Sequence, residues 1–196
     1  MQLVFASNNR HKIDEIKRLL PESIQILTLE DIGCTEDIPE TAQTIEGNAL
    51  LKANYVTEKF GYNCFSDDSG LEIRALNGAP GVYSARFAGI QKNDQDNINK
   101  VLNELQNFQD RTARFKTVIA LNLNKEHYLF TGIVDGTITL EQRGNQGFGY
   151  DSVFQPINNK STFAEMNQQE KSAISHRGKA VDQLASFLSK NNTFIL

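Results

Sequence analysis

The stretch TARFKTVIALNLNKEHYLFTGIVDGTITL, residues 112–140, decides the fold class. Residues 112–124 and 127–140 are rich in Val, Ile, Phe, Tyr and Thr and read as two long strands. They meet at Asn124-Lys125-Glu126, so they form an antiparallel hairpin. On either side of it, helical and strand patterns interleave. Leu3 to Ala6 and Ile24 to Leu27 read as short buried strands, separated by a helix over 11–20 that Pro21 stops. Residues 44–60 form the clearest helix, with Ile45, Ala49, Ala53, Val56 and Phe60 on one face and Gly61 closing it. Asn48 and Lys52 lie one turn apart on its flank, where side chains reach past the core.

Downstream, Asn63 to Ser66 reads as a strand, Asp67-Asp68-Ser69-Gly70 as a turn, and Leu71 to Leu76 as a further strand. Helices are expected over 94–108 and from about Ser175 to Ser189. Thr162-Phe163-Ala164-Glu165 fits a capping box that starts another. Gly78 to Gly81 and Gly144 to Asp151 are loops. A hairpin set among alternating helices and strands gives an α/β protein with a mixed sheet rather than a purely parallel one.

At 196 residues the chain suits one domain spanning 1–196. Its net charge of −4 argues against a broad grip on a nucleic-acid polymer, which needs a Lys/Arg face. A small phosphorylated ligand needs only a local cluster of cations. Cys34 and Cys64 form no CxxC or Cys/His pattern and read as reduced structural thiols. No apolar run reaches membrane-spanning length and no signal h-region is present, so no membrane role and a cytoplasmic location are expected.

Four segments carry the chemistry. Asp67-Asp68-Ser69-Gly70 follows a strand, where ligands of α/β sheets gather. Adjacent residues on extended chain point to opposite sides, so one carboxylate faces a site and the other braces a loop. The same composition is also ordinary turn chemistry. Ser7-Asn8-Asn9-Arg10-His11-Lys12 joins a strand to a helix and reads either as an anion site or as an N-capping turn. It is not a Walker A loop, since no G-x-x-x-x-G-K-[ST] occurs in the chain.

In Phe148-Gly149-Tyr150-Asp151, the glycines flanking Phe148 let backbone approach a ligand while the ring stacks on a base; a mobile turn capping the core is the other reading. Lys171, His176 and Arg177 crowd an anion-binding ammonium, a switchable imidazole and a forked donor into seven positions. No HxxxH or HExxH pattern exists, which excludes the common zinc arrangements.

These segments, in this order and with Gly78-Ala79-Pro80-Gly81-Val82-Tyr83-Ser84-Ala85-Arg86 between them, resemble the inosine/xanthosine triphosphate pyrophosphatase family over essentially the whole chain. The resemblance implies an elongated mixed sheet flanked by helices, in two lobes with a central cleft, and a homodimer. It implies Mg²⁺-dependent hydrolysis of deaminated purine nucleoside triphosphates (ITP, dITP, XTP) to monophosphate and pyrophosphate.

Carried over by position, Asp68 is the general base and a metal ligand, with Ser69 beside the substrate. Ser7, Asn8, Asn9, Arg10, His11 and Lys12 form the first phosphate and substrate loop. Lys52 and Lys171 contact the triphosphate. Phe148, Gly149, Tyr150 and Asp151 bind the nucleoside, and His176 with Arg177 reads the base. Many relatives carry two consecutive glutamates where this chain has Pro39-Glu40, and the second metal ligand is assigned to Glu40 rather than Glu36, Asp37 or Glu46. The alternatives are a related pyrophosphatase for other modified nucleotides and a nucleotide sensor without turnover.

Overall fold

A computed structural model describes residues 1–191, and side chains through residue 190. The elements are β1 (Gln2–Phe5), α1 (Arg10–Leu19), β2 (Gln25–Leu27), α2 (Ile45–Phe60), β3 (Cys64–Ile73), α3 (Asp94–Glu104), β4 (Thr112–Leu123), β5 (Glu126–Ile138), β6 (Phe154–Pro156), α4 (Gln168–Ile174) and α5 (His176–Asn191). Short 3-10 turns lie between them, including Gly81–Arg86 and Gly149–Ser152.

The six strands form one sheet in the order β2-β1-β3-β4-β5-β6. β1 runs parallel to both β2 and β3, through the crossovers that α1 and α2 supply, while β5 and β6 pair antiparallel. The sheet is therefore mixed, open and flanked by helices, as the interleaved sequence pattern requires. The hairpin joins β4 to β5 through Asn124 and Lys125, both at positive φ (53° and 70°). That backbone twist suits a two-residue hairpin turn.

The chain divides into two units. The first comprises residues 1–68, 117–132 and 177 onward; the second comprises 69–116 and 133–176, so β3, β4 and β5 contribute to both. In the first unit, alternate residues of β1 enter different cores. Leu3 and Phe5 pack with Ile16, Phe65, Ile119 and Leu184, whereas Val4 and Ala6 pack with Leu29, Val56, Cys34 and Cys64. Both faces of β1 are covered, which explains its unbroken apolar run. Cys34 and Cys64 are free thiols and buried. In the second unit, Leu71, Ile73, Ile98, Val101, Phe115, Phe154 and Phe163 form one core.

Several local readings change. Asp67 to Gly70 is not a turn but the middle of β3, and Cys64 to Asp68 is buried throughout. β3 pairs with β1 at Cys64 and Phe65 and neighbours the long strand β4, and this sheet context overrides the turn preference of Asp-Asp-Ser-Gly. The strand expected over 71–76 ends at Ile73 and gives way to a 3-10 turn, Arg74–Leu76. α3 stops at Glu104, short of 108. The capping box at Thr162 forms, with Glu165 Oε2 accepting from the Thr162 N–H at 2.7 Å, but opens only a 3-10 turn. The helix proper, α4, starts after Asn167, whose side chain accepts from the Glu170 N–H at 2.9 Å. Extended backbone at Ser175 then separates α4 from α5. Among the described residues no helix is long and apolar enough to cross a membrane.

Candidate functional site

In the first unit the candidate residues meet around the middle of β3. Pleating sends Asp67 and Asp68 to opposite faces, and each meets different cations. The Asp67 carboxylate has no solvent exposure. Lys12 Nζ lies 3.1 Å from its Oδ1, and Arg177 Nε and Nη2 each lie 3.3 Å from Oδ2. Arg177 Nη1 donates to Glu15 Oε2 at 2.5 Å. Asp67 thus ties the first turn of α1 to the first turn of α5. It is the bracing member of the pair, although it braces helices rather than a loop.

Asp68 accepts from Asn48 Nδ2 at 3.4 Å and lies 3.7 Å from Lys52 Nζ. Lys52 also donates to Glu40 Oε1 and to the Asp67 carbonyl, both at 2.8 Å. One ammonium therefore links the Glu40 and Asp68 carboxylates. Lys12 is positioned by the capping turn, where Asn9 Oδ1 accepts from the Lys12 N–H at 3.2 Å and Ser7 Oγ accepts from the Asn9 N–H at 3.2 Å. Asn8 donates to Asp37 at 3.4 Å, and Arg10 and His11 are exposed on the first turn of α1. The N-capping reading of Ser7–Lys12 is what the structure shows, and the cap places Lys12 against the Asp67 carboxylate.

The charges respond to this packing. Burial pushes the Asp67 carboxyl up, but Lys12, Arg177 and Lys52 outweigh it and hold Asp67 well below the ordinary carboxylate range. The Asp68 carboxyl moves the other way. Burial raises it, Lys52 and Lys12 oppose, and the negative charges of Glu40 and Asp67 add to the rise. Burial lowers Lys12, with Asp67 only partly compensating. Lys52 loses to burial but gains more from Asp68, Glu40 and Asp67, and ends raised.

The donor chemistry here fits a hard divalent cation. Glu40 and Asp68 present carboxylate oxygens to a shared neighbour, and four carboxylates (Glu15, Glu40, Asp67, Asp68) stand against three cations (Lys12, Lys52, Arg177). Among the described residues no group of three or more His, Cys, Asp or Glu is arranged to hold a metal.

In the second unit, the turn following Gly147 collects Phe148, Gly149, Tyr150 and Asp151. Asp151 Oδ2 accepts from the Phe148 N–H at 2.9 Å and from Lys171 Nζ at 2.7 Å, with both charged side chains almost fully buried. Lys171 Nζ also lies 5.0 Å from the centre of the Phe148 ring. The glycine before Phe148 has a specific reason. Gly147 sits at φ 75°, and a Cβ there would lie 2.0 Å from Asp151 Oδ2. Gly147 makes room for the Asp151 carboxylate.

His176 belongs to this unit, stacked on Phe115 with centroids 4.5 Å apart and planes 11° from parallel. Its neighbour Arg177 belongs to the first unit, so the adjacent pair enters different surroundings. Ser69, next along β3 from Asp68, is partly exposed.

Sequence reasoning overlooked Glu15, the second carboxylate on Arg177. It resembles any other acid on a helix, and the only local hint is its place one turn beyond Lys12.

The Ham1 family pattern matches residues 3–187 of this chain. A protein of Flavobacterium psychrophilum named dITP/XTP pyrophosphatase is 63% identical over 95% of this chain and 98% of its own length. One of the same name from Flavobacterium johnsoniae is 62% identical over 96% of this chain and 98% of its own. The solved structure of the Staphylococcus aureus Ham1 protein superimposes with a TM-score of 0.90 at 39% identity, over 97% of this chain and all of that one.

Proposed function

The chain belongs to the Ham1 family, and from that membership we infer that it is a nucleoside triphosphate pyrophosphatase. It hydrolyses deaminated purine nucleoside triphosphates, dITP, ITP and XTP, to the monophosphate and pyrophosphate. The observation that carries the chemistry is the arrangement in the middle of β3, where Lys52 lies between Asp68 and Glu40, Asn48 donates to Asp68 and Asp67 holds Lys12.

Asp68 acts as the general base that orients a water for in-line attack on a phosphorus. Mg²⁺, held by Glu40 and Asp68, neutralises phosphate charge when bound. Lys12 and Lys52 add positive charge where negative charge builds on the transferred group, and Lys171 contributes to triphosphate binding. Asp67 keeps Lys12 and Arg177 in place without reacting.

For the nucleoside, Phe148 stacks on the base while Gly149, Tyr150 and Asp151 shape the turn around it. Ser7 to His11 and Ser69 border the substrate. His176 and Arg177 read the 6-oxo group that distinguishes deaminated bases from adenine. Donors aimed at an oxo acceptor are stranded against a 6-amino donor, and that mismatch supports selectivity of about 10⁴–10⁵. Arg177 enters this role already clamped by Glu15 and Asp67, so its aim depends on both. The whole chain serves as one functional domain, works as a homodimer and resides in the cytoplasm.

The test is pyrophosphate release from dITP, ITP, XTP, GTP and ATP, with Mg²⁺ and with a chelator. Release from the first three, and only with metal, is expected. Binding of dITP without release from any of them would replace the enzyme with a sensor. A sedimentation mass of one chain at micromolar concentration would overturn the dimer.

A further inference from the structure

The mechanism leaves one polar system in the second unit unused, on α3. Asp94, Asn97 and Lys100 recur every third residue along that helix, and each side chain leaves it to hold another segment. Asp94 Oδ2 accepts from the Gly149 N–H at 2.8 Å. Asn97, 2% exposed, donates to the Ala85 carbonyl at 3.0 Å and accepts from the Ala88 N–H at 2.7 Å. Lys100 donates to the Phe87 carbonyl at 2.8 Å. The Tyr150 hydroxyl closes the circuit by donating to the Ser84 carbonyl at 2.8 Å.

The path Asp94–Gly149–Tyr150–Ser84–Ala85–Asn97 returns to α3 one turn from its start. It joins the helix, the 81–86 turn and the Phe148–Asp151 turn. Asn97 and the Tyr150 hydroxyl are buried and serve packing. Asp94 is exposed, and its carboxylate is not required as the helix cap, because Asn93 caps α3 by accepting from the Asp96 N–H at 3.0 Å. Gly149, its partner, sits at φ 58°, and a Cβ there would meet nothing within 4 Å. Asp151 and the buried Tyr150 anchor the later part of the turn, and the Gly149 N–H is held by Asp94.

We propose that Asp94 is a positioning residue for nucleoside recognition. By holding the Gly149 N–H it sets the backbone next to Phe148 and so aims that ring, while Lys171 and the Phe148 N–H hold Asp151. This rests on the reading of Phe148–Asp151 as the nucleoside-binding turn.

The experiment compares wild type, Asp94→Ala, Asp94→Asn and Asp96→Ala. Asp96 is a first-turn acid of the same helix whose carboxylate accepts from Gln91 at 3.4 Å, so it controls for effects on α3 itself. Binding of dIMP and of pyrophosphate is measured by calorimetry, with kcat and KM for dITP beside it. Asp94→Ala is expected to weaken dIMP and raise KM by about tenfold, the scale of one hydrogen bond to a charged acceptor, with kcat within about twofold and pyrophosphate binding unchanged. Asp94→Asn retains an acceptor and restores most of the affinity, and Asp96→Ala changes nothing.

Unchanged dIMP affinity in Asp94→Ala overturns the proposal. So does an equal loss in Asp96→Ala, or an equal loss for pyrophosphate. Wild-type protein that binds dIMP yet releases no pyrophosphate from dITP would overturn the catalytic reading alone, and the dIMP comparison would still decide the role of Asp94.

Discussion

Replacing Lys171 with Met removes an ammonium that lies 2.7 Å from Asp151 Oδ2, in a pair whose side chains are 7% and 5% exposed. Met keeps the length and the apolar contact with Phe148, so the change isolates the charge. It leaves the Asp151 carboxylate buried, still accepting from the Phe148 N–H, with the Lys171 charge removed. Removing one partner of a buried pair costs about 3–5 kcal/mol. For a chain of this size that corresponds to a Tm lowered by roughly 6–20 °C. Adding Asp151→Asn removes the stranded charge while leaving an oxygen to accept from Phe148. The double variant is therefore expected to be more stable than Lys171→Met alone, by about 1–3 kcal/mol. Urea unfolding followed by circular dichroism on all four proteins completes the cycle. A Lys171→Met cost under about 1 kcal/mol, or a double variant equal to the sum of the singles, would refute the claim that Lys171 holds the turn through Asp151.

Asp68→Asn is expected to lower pyrophosphate release from dITP by at least about 10²-fold while dITP still binds, because β3 does not need that charge to form; turnover within tenfold of wild type would remove Asp68 as the base. Gly147→Ala forces a non-glycine residue to φ 75° and drives a methyl into Asp151 Oδ2, so it should cost at least about 1–2 kcal/mol and weaken dIMP binding; urea titration and calorimetry measure the two effects, and wild-type values for both would show that the turn yields freely. Glu15→Gln keeps the shape of the Arg177 contact but removes its charge, and is expected to destabilise the protein by about 1.5–3 kcal/mol and to narrow the ratio of dITP to dATP hydrolysis. An unchanged ratio with lowered stability would leave Glu15 a purely structural partner of Arg177.

The elements that sequence pattern revealed are those whose signal is local. The β4–β5 hairpin shows in two apolar, β-branched runs about a two-residue turn, and α2 and α5 show in apolar positions recurring at helical spacing. The motif order from Ser7 to Arg177 identified the family, because the family's chemistry is written in short segments. Pattern reading misjudged Asp67 to Gly70, where composition argues for a turn. A strand's sheet neighbours lie far away in sequence, and that context outweighs a local preference.

The assignment of charges was beyond the sequence for the same reason. Lys12 meets Asp67 across 55 positions, Arg177 meets Asp67 across 110, and Arg177 meets Glu15 across 162. Sequence established that two adjacent carboxylates on extended chain must face opposite ways, since the side-chain period of a strand is two. Only the tertiary structure decided that Asp67 is the one locked between Lys12 and Arg177 and that Asp68 is the one left beside Lys52 and Glu40. Which cation meets which carboxylate depends on where α1, α2 and α5 pack against β3, and a chain segment carries no record of a neighbour it has yet to meet.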